Sequence, residues 1–313
     1  MTKRIIWIDA VKGFGILLVM LSHTIDVGKA GVYLFSSFIP LFFITSGYIV
    51  RTEPTVVLIK KKIRRLLIPY FLYGIVCVLF FDMIKTGAGY RGGIVREWTG
   101  LLYSRFCLLP LGSDNNVYFL PMEANASIWF LTSMFVAFVF NSLIEKNGHG
   151  LSKWIVITVY VILTAVMSKL PMLLPWSIDT GFIFALFIHV GKVIGRHDAL
   201  IRSKSVGWVE AILFLVLYIS LTYYNAFSNI SVREYGRHGL LSIGLFFVNG
   251  ILFFKFSSWI LRSFENTWFT KALAFVGRQS LRLLCIQMPV IFVVNKCYDH
   301  YESFIYGLGG VMR

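Results

Sequence analysis

Long apolar runs separated by short polar and basic segments dominate the chain. A membrane-crossing helix needs about 20 mostly apolar residues. Nine runs approach or reach this length, and they predict transmembrane helices at positions 11–27, 34–50, 66–84, 127–144, 154–168, 178–195, 206–224, 239–256 and 280–297. The pattern therefore predicts an all-α fold, a polytopic integral membrane bundle of about nine to ten transmembrane helices. We expect one membrane domain that covers residues 1–313.

One further stretch, residues 257–279, has a different pattern. It places Arg262, Glu265, Lys271 and Arg278 among Trp and Phe side chains. An amphipathic helix of this kind buries its apolar face at the membrane interface. The pattern predicts that this stretch lies at the interface rather than crossing, and the sequence shows no interrupted helices at matching positions.

Composition supports the membrane interpretation. Hydrophobic residues make up 57% of the chain and charged residues only 14%, whereas a typical globular domain has about 25% charged residues. The net charge of +15 does not predict nucleic-acid binding, because Lys and Arg are spread between the apolar runs and form no basic domain. Soluble, disordered and nucleic-acid-binding classes are excluded.

The placement of the basic residues predicts the orientation. With the N-terminus inside, the inner loops hold 19 Lys and Arg residues and the outer loops hold 10. Cytoplasmic loops of membrane proteins carry the excess of positive charge. We therefore expect a cytoplasmic N-terminus.

The first predicted span carries the costliest polar residues, Asp9, Lys12 and His23. Charged or titratable groups inside a span are functional candidates by default. Lys12 and His23 are eleven positions apart, about 20° beyond three whole helical turns, so they share one face at roughly 16 Å along the axis. A cation at one end of that face can hold a phosphate, and an imidazole can take a proton from a hydroxyl or accept an acyl group. The structural alternative is that Lys12 extends to the interface and His23 bonds a neighbouring helix.

A basic cluster precedes the third span and includes Lys61, Lys62, Arg64 and Arg65. One interpretation is a topology signal attracted to anionic lipid. The other is a site for a phosphate-rich cytosolic donor, since Arg presents a forked donor that suits phosphate. The four cysteines are too scattered for a metal cage, so we expect no metal site.

Five short motifs together resemble a known family, the membrane-bound acyltransferase family 3, which includes O-acetylating enzymes of bacterial surface glycans. The motifs are Asp9-x2-Lys12-Gly13 with Leu21-Ser22-His23, Phe42-Phe43-x2-Ser46-Gly47-Tyr48, Lys62-x2-Arg65 before Pro69-Tyr70, Trp129-Phe130-Leu131, and Gly277-x2-Ser280-Leu281. They occur in the family's order, and the resemblance covers nearly the whole chain.

The resemblance implies a transfer reaction. An acyl group, usually acetyl from acetyl-CoA bound at the cytoplasmic face as co-substrate, would pass to a hydroxyl of a glycan or lipid-linked sugar, with no bound cofactor. It implies a bacterial inner-membrane protein whose partners are the acyl-CoA donor, the sugar acceptor and membrane lipids.

The resemblance also implies roles for residues. The catalytic group would comprise His23, Lys12 and Asp9, with Asp9 pairing Lys12. Donor-binding residues would be Lys61, Lys62, Arg64 and Arg65, and the pathway or its support would involve Ser46, Tyr48 and Trp129. Whether His23 acts as a base or carries the acyl group stays open.

Two positions depart from the family pattern. Gln287 stands where many relatives have His, and the final stretch, Glu302 to Arg313, is short and rich in glycine where the family usually has a tenth span. A transporter or flippase of a glycan intermediate is the alternative function, for which paired repeats and broken helices would be expected.

Overall fold

A computed structural model describes residues 5–24, 28–51, 53–85, 94–104, 107–110, 117–120, 127–146, 150–201 and 207–311. The helices are α1 (Ile6–Thr24), α2 (Lys29–Phe35), α3 (Phe38–Ile49), α4 (Thr55–Lys62), α5 (Ile68–Lys85), α6 (Ile94–Tyr103), α7 (Trp129–Lys146), α8 (Leu151–Met167), α9 (Ile178–Ile201), α10 (Trp208–Asn225), α11 (Leu240–Ser263), α12 (Trp268–Arg278) and α13 (Ser280–Val311). A π-helical segment, Ile63–Leu67, joins α4 to α5. The two short strands β1 (Cys107–Pro110) and β2 (Val117–Leu120) pair antiparallel.

The predicted helical membrane bundle is confirmed, and among the described residues each of the nine predicted spans overlaps one helix or, for 34–50, two. Among the described residues, six helical stretches are long and apolar enough to cross a membrane: Ile6–Thr24, Lys29–Ile49, Thr55–Phe80, Pro175–Asp198, Trp208–Asn225 and Leu240–Ser263. Two shorter apolar helices, Leu151–Met167 and Ser280–Asn295, accompany them. The hairpin of β1 and β2 is a small addition to an otherwise helical fold.

The second predicted span is interrupted. Instead of one helix over 34–50, the structure has α2 and α3 with a break at Ser36 and Ser37. Ser37 has φ −130° and ψ 8°, which is not helical. The predicted single helix over 34–50 is therefore two helices, and the break between them faces the cavity described below.

The stretch 257–279 also differs from its prediction. Residues 257–263 complete α11, and the rest forms the separate short helix α12. The helix α12 is amphipathic, because Lys271 and Arg278 are exposed while Leu273 and Ala274 are buried. The buried face packs on α1 rather than forming one interfacial segment.

Glycines allow the closest helix contact. A Cβ added at Gly13 on α1 would collide with the backbone carbonyl of Leu273, and one added at Gly277 on α12 would collide with that of Asp9. Small residues let helix backbones approach in this way. The contact fixes α12, and with it the start of α13, against the polar first helix.

The bundle has two ends that can be recognised by their contacts. At one end Trp7, Tyr48, Asp198 and Arg262 meet, so the start of α1 lies beside the ends of α3, α9 and α11. At the opposite end, the α10–α11 loop contacts Ser36 and the α8–α9 connection. Because α1 runs from the first end towards the second, Lys12 and His23 lie at different depths.

Candidate functional site

A cavity of about 410 Å³ opens along the face of α1. Helices α1, α3, α7 and α13 contribute to its wall, together with Leu66 of the π-helical segment and the loop between α10 and α11. Four residues singled out from the sequence line it, namely Lys12, His23, Ser46 and Trp129. Pockets between the helices of a bundle are common places for ligand sites.

Lys12 and His23 lie on one face of α1, as their spacing predicts. Both lie on the continuous helix α1 and both line the same cavity. Eleven residues of helix separate them by about 16 Å along the axis. Gly15, between them, allows the ring of Phe42 to approach, since an added Cβ would lie 3.0 Å from that ring. A ligand in the cavity can therefore extend from one polar group to the other.

Lys12 is accompanied by other charges. Asp9 lies one turn earlier, with its Oδ1 3.8 Å from the Lys12 ammonium, so the pair that the spacing predicts is present. Lys62 lies close enough to Lys12 and Arg65 to interact electrostatically with both. We call Lys12, Lys62 and Arg65 the basic end of the cavity. These three basic side chains outnumber the two nearby carboxylates, those of Asp9 and Glu53, and the excess favours an anionic ligand.

The π-helical segment places the basic run. Lys62 comes directly before it and Arg65 lies inside it, while the buried Leu66 lines the cavity. The Lys62 ammonium lies 3.3 Å from the centre of the Phe138 ring, a cation–π contact with α7. A π-bulge rotates the residues on either side of it and frequently marks a functional position. The sequence did not predict this bulge.

Lys61 and Arg64 are not brought to the basic end. The Lys61 ammonium lies 2.7 Å from each carboxylate oxygen of Glu53, and this contact holds the pKa of the Glu53 carboxyl below its ordinary value. Arg64 and Arg65 are both exposed and neither lines the cavity, but among the described residues the charged groups that interact with Lys62 are Arg65, Lys12 and Glu53. Of the four predicted donor-binding residues, the structure therefore places two, Lys62 and Arg65, near Lys12.

Tyr48 is not among the described residues that line the cavity. Its hydroxyl lies 3.1 Å from Asp198 Oδ2 and 3.3 Å from the guanidinium of Arg262. Arg262 also forms an ion pair with Asp198 and lies 3.9 Å from the centre of the Trp7 ring. Of the two predicted uses, pathway or support, these contacts favour support, because they join α1, α3, α9 and α11.

His23 lies near the other end of α1, where its side chain is exposed and lines the cavity. Within the described part of the chain, no hydrogen bond to its imidazole is formed. Ser46 and Trp129 also line the cavity, and the Ser46 hydroxyl lies 3.8 Å from the Met134 sulfur, which is a weak acceptor. The imidazole is therefore open to a ligand, as a proton acceptor or a nucleophile needs to be.

The polar residues that line the cavity beyond His23 were not predicted from the sequence. Five neutral polar residues line the cavity there, and we call them the hydroxyl end: Ser36, Ser127, Ser228, Asn229 and Ser231. They come from three separate places in the chain, the α2–α3 break, the start of α7 and the α10–α11 loop. The only sequence signal was the run Ser228-Asn229-x-Ser231 between two apolar spans.

Comparison with known proteins identifies one family. A family model described as an acyltransferase domain, that of acyltransferase family 3, matches residues 5–312. No curated protein and no solved structure matches the chain significantly. The family match covers α1 through α13, including both ends of the cavity.

Proposed function

The chain belongs to acyltransferase family 3, and from this premise we propose that it transfers an acetyl group from acetyl-CoA to a hydroxyl of a cell-surface glycan or lipid-linked sugar. The coarser activity is established by the family: the protein is an integral membrane acyltransferase. The observation that carries the finer proposal is that Lys12 and His23 line one cavity, with the Lys12 ammonium at one end and neutral polar groups at the other.

The basic end suits a CoA donor. CoA carries several phosphate oxygens, and Lys and Arg bind phosphate through charge-assisted hydrogen bonds. Lys12, Lys62 and Arg65 lie close together there. The cavity is about 410 Å³, so it holds the thioester arm of such a donor rather than the whole molecule, and the phosphates remain at the basic end.

His23 is the residue that we assign to the chemistry. In one route, a ring nitrogen takes the proton of the acceptor hydroxyl while its oxygen forms a bond to the thioester carbonyl carbon. The carbon–sulfur bond then breaks, and the proton returns to the departing thiolate. In the other route, the ring nitrogen attacks the carbonyl carbon, the carbon–sulfur bond breaks, and the thiolate leaves with the proton of the other ring nitrogen. The acceptor hydroxyl then attacks the acyl-imidazole, the carbon–nitrogen bond breaks, and the hydroxyl proton returns to the ring.

Two supporting roles follow from position. Asp9, 3.8 Å from the Lys12 ammonium, directs that side chain along α1. Ser46 and Trp129 line the cavity wall and are candidates for donating a hydrogen bond to the oxyanion that develops at the carbonyl oxygen. All of these roles rest on where the side chains lie.

The proposal includes an orientation in a bacterial inner membrane. The loops that carry the excess of Lys and Arg lie with the N-terminus on the cytoplasmic side. Cytosolic acyl-CoA then reaches the basic end, and the acceptor approaches from the opposite side of the membrane. His23 lies between the two approaches.

Replacing His23 tests the function. An amide neither accepts a proton at neutral pH nor carries an acyl group, so His23→Gln should lose at least about a hundredfold in turnover. The measurement is thiol release from acetyl-CoA, with and without a sugar acceptor, by purified protein in detergent.

Thr24→Ala is the matched control for this test. Thr24 is the next residue on α1, and among the described residues its hydroxyl bonds to the backbone carbonyls of Met20 and Leu21. This variant should keep wild-type turnover. Near wild-type turnover in His23→Gln would remove His23 from the mechanism and favour a transporter or flippase.

A further inference from the structure

The two ends of the cavity differ in charge, and this difference bears on the acceptor. Among the described residues that line the cavity, Lys12 and His23 are the only ones that can carry a charge. Beyond His23 the polar lining consists of serine hydroxyls and one asparagine amide. An ionised ligand group placed there would be taken out of water without a partner, which is costly.

The hydroxyl end retains hydrogen-bonding capacity for a ligand. Ser228 Oγ donates to the Tyr235 carbonyl at 2.8 Å, and Asn229 Oδ1 accepts from Ser231 at 2.5 Å. Ser36 Oγ accepts from the Ser228 amide at 3.3 Å. A hydroxyl has one donor and two acceptor sites, and an amide side chain has two donors. The Ser36 proton and the Asn229 Nδ2 protons therefore remain able to donate.

Ser127 gives an independent indication of a ligand. Its side chain is 5% exposed and lines the cavity. Among the described residues its Oγ has no hydrogen-bond partner. Buried polar atoms are nearly always paired, so a ligand hydroxyl is a natural partner for this atom.

An aromatic ring lies beside these polar groups. Phe227 lines the cavity and is 44% exposed. A pyranose ring has one apolar C–H face and a rim of hydroxyls. An aromatic surface next to several neutral donors and acceptors fits both features.

The α10–α11 loop is held in position by a buried ion pair. Arg233 has φ 62°, a left-handed conformation that is uncommon for arginine. Its Nε lies 3.1 Å from Asp179 Oδ2, and its guanidinium donates to the carbonyls of Met167 and Leu170. Strained backbone of this kind persists where surrounding contacts fix it, often at ligand sites. The loop is therefore preorganised by α8 and α9.

We infer that the hydroxyl end is the acceptor subsite and that it selects an uncharged, hydroxyl-rich sugar. The identification of this subsite as the place of the acceptor rests on the proposed function. Its fit to a sugar rests on the residues that line the cavity. Asn229, Ser127 and Ser36 hydrogen-bond the sugar rim, and Phe227 contacts its apolar face. Arg233 is a positioning residue that acts through the loop.

Photolabelling tests the subsite without relying on catalysis. The probe is an alkyl β-glucoside with a photoreactive diazirine at the sugar, applied to the wild type and to His23→Gln, followed by peptide mapping. Competition compares the unlabelled alkyl glucoside with the alkyl glucuronide, which differs by one carboxylate. We expect the label on the segment 226–239 in both proteins and at least fivefold weaker competition by the glucuronide.

Variants sharpen the test. Asn229→Ala and Ser127→Ala should each weaken labelling about fivefold, the effect of losing one hydrogen bond. Ser127→Ala removes an oxygen that bonds no described residue, so it keeps the test valid should Asn229→Ala fail to fold. Glu234→Gln is the control, because Glu234 is exposed in the same loop and does not line the cavity.

Each outcome bears on a separate claim. Label outside 226–239, equal competition by the glucuronide, or labelling unaffected in both subsite variants would overturn the inference. Labelling at the loop without thiol release from acetyl-CoA would leave a sugar subsite and overturn the proposed function. Thiol release from acetyl-CoA that depends on the glucoside, without labelling at the loop, would overturn the subsite alone.

Discussion

The basic end and the hydroxyl end of one cavity are constructed in different ways. The basic end comes mainly from two helical segments, with Lys12 on α1 and with Lys62 and Arg65 at the π-helical segment. The hydroxyl end comes from a helix break, a helix start and a loop. Hydrogen bonds to backbone carbonyls and the ion pair of Arg233 with Asp179 hold this loop in place. The charged end depends on residue type and helical spacing, whereas the neutral end depends on which loops meet.

The difference also has an energetic basis. Cations near the end of a helix extend their charged groups towards water while their stems stay in apolar surroundings. Neutral hydroxyls and amides need local partners instead, and the Ser228 and Asn225 side chains find theirs in the Tyr235 carbonyl. A loop that must satisfy its own polar groups in this way becomes rigid. A rigid surface in this cavity is therefore built from neutral groups.

Orientation gives the largest expected effect, because the result is all or none. In a Cys107→Ser, Cys297→Ser background, Glu234→Cys should react with a membrane-impermeant maleimide in intact cells. Lys60→Cys, near the basic end, should react only after permeabilisation. Both Glu234 and Lys60 are exposed, and the native Cys77 and Cys285 are buried. The reverse labelling pattern would place the basic end outside and separate it from cytosolic acyl-CoA.

Lys62→Gln should give the next largest effect, confined to the donor. Hydrogen bonds to charged groups contribute enough that losing one raises a dissociation constant about tenfold or more. We therefore expect the KM for acetyl-CoA to rise at least about tenfold, with the KM for the alkyl glucoside unchanged. Initial rates over a matrix of donor and acceptor concentrations measure both constants.

Lys61→Gln is the matched control for Lys62, since the two residues are adjacent and the exposed Lys61 pairs with the partly exposed Glu53. An exposed pair contributes little, so the donor KM should change by less than about twofold. An equal rise in both variants would mean that the run acts through its total charge, as a lipid or topology signal would.

Arg233→Lys should have a smaller effect at the other end. Lysine has one compact ammonium in place of a forked guanidinium, so it cannot bridge Asp179 and two backbone carbonyls together. We expect the KM for the alkyl glucoside to rise about threefold to tenfold, as loss of one or two hydrogen bonds implies. The donor KM should stay at its wild-type value.

A merely structural role for Arg233 would appear differently. It would lower the amount of active protein, and with it kcat, while leaving both KM values unchanged. Arg237→Lys is the control, because Arg237 is exposed in the same loop and bonds the carbonyls of Tyr223 and Tyr224. A similar acceptor KM change in that control would show that the loop tolerates no substitution and that the Asp179 pair has no particular part.

Part of the site followed from the sequence and part did not. The shared face of Lys12 and His23 was predictable, because a continuous helix converts spacing into direction. The selection of Lys62 and Arg65 over Lys61 and Arg64 was not, since a π-helical segment changes the direction of side chains along the run. Tyr48 sits in a motif beside Ser46, yet only the ends of α9 and α11 show that it contacts Asp198 and Arg262.

The sequence by itself determined the membrane class, the position of most of the helices and the polar face of α1, because apolar length and helical period are local properties. Tertiary structure decided where Ser36, Ser127 and Asn229 meet, because residues so far apart in the chain are brought together only by packing. It also decided that α12 packs on α1, through contact between Gly13 and the Leu273 carbonyl that no single segment encodes. Charge and helical period can be read from local sequence, whereas the neutral polar surface of the cavity forms only when distant segments pack together.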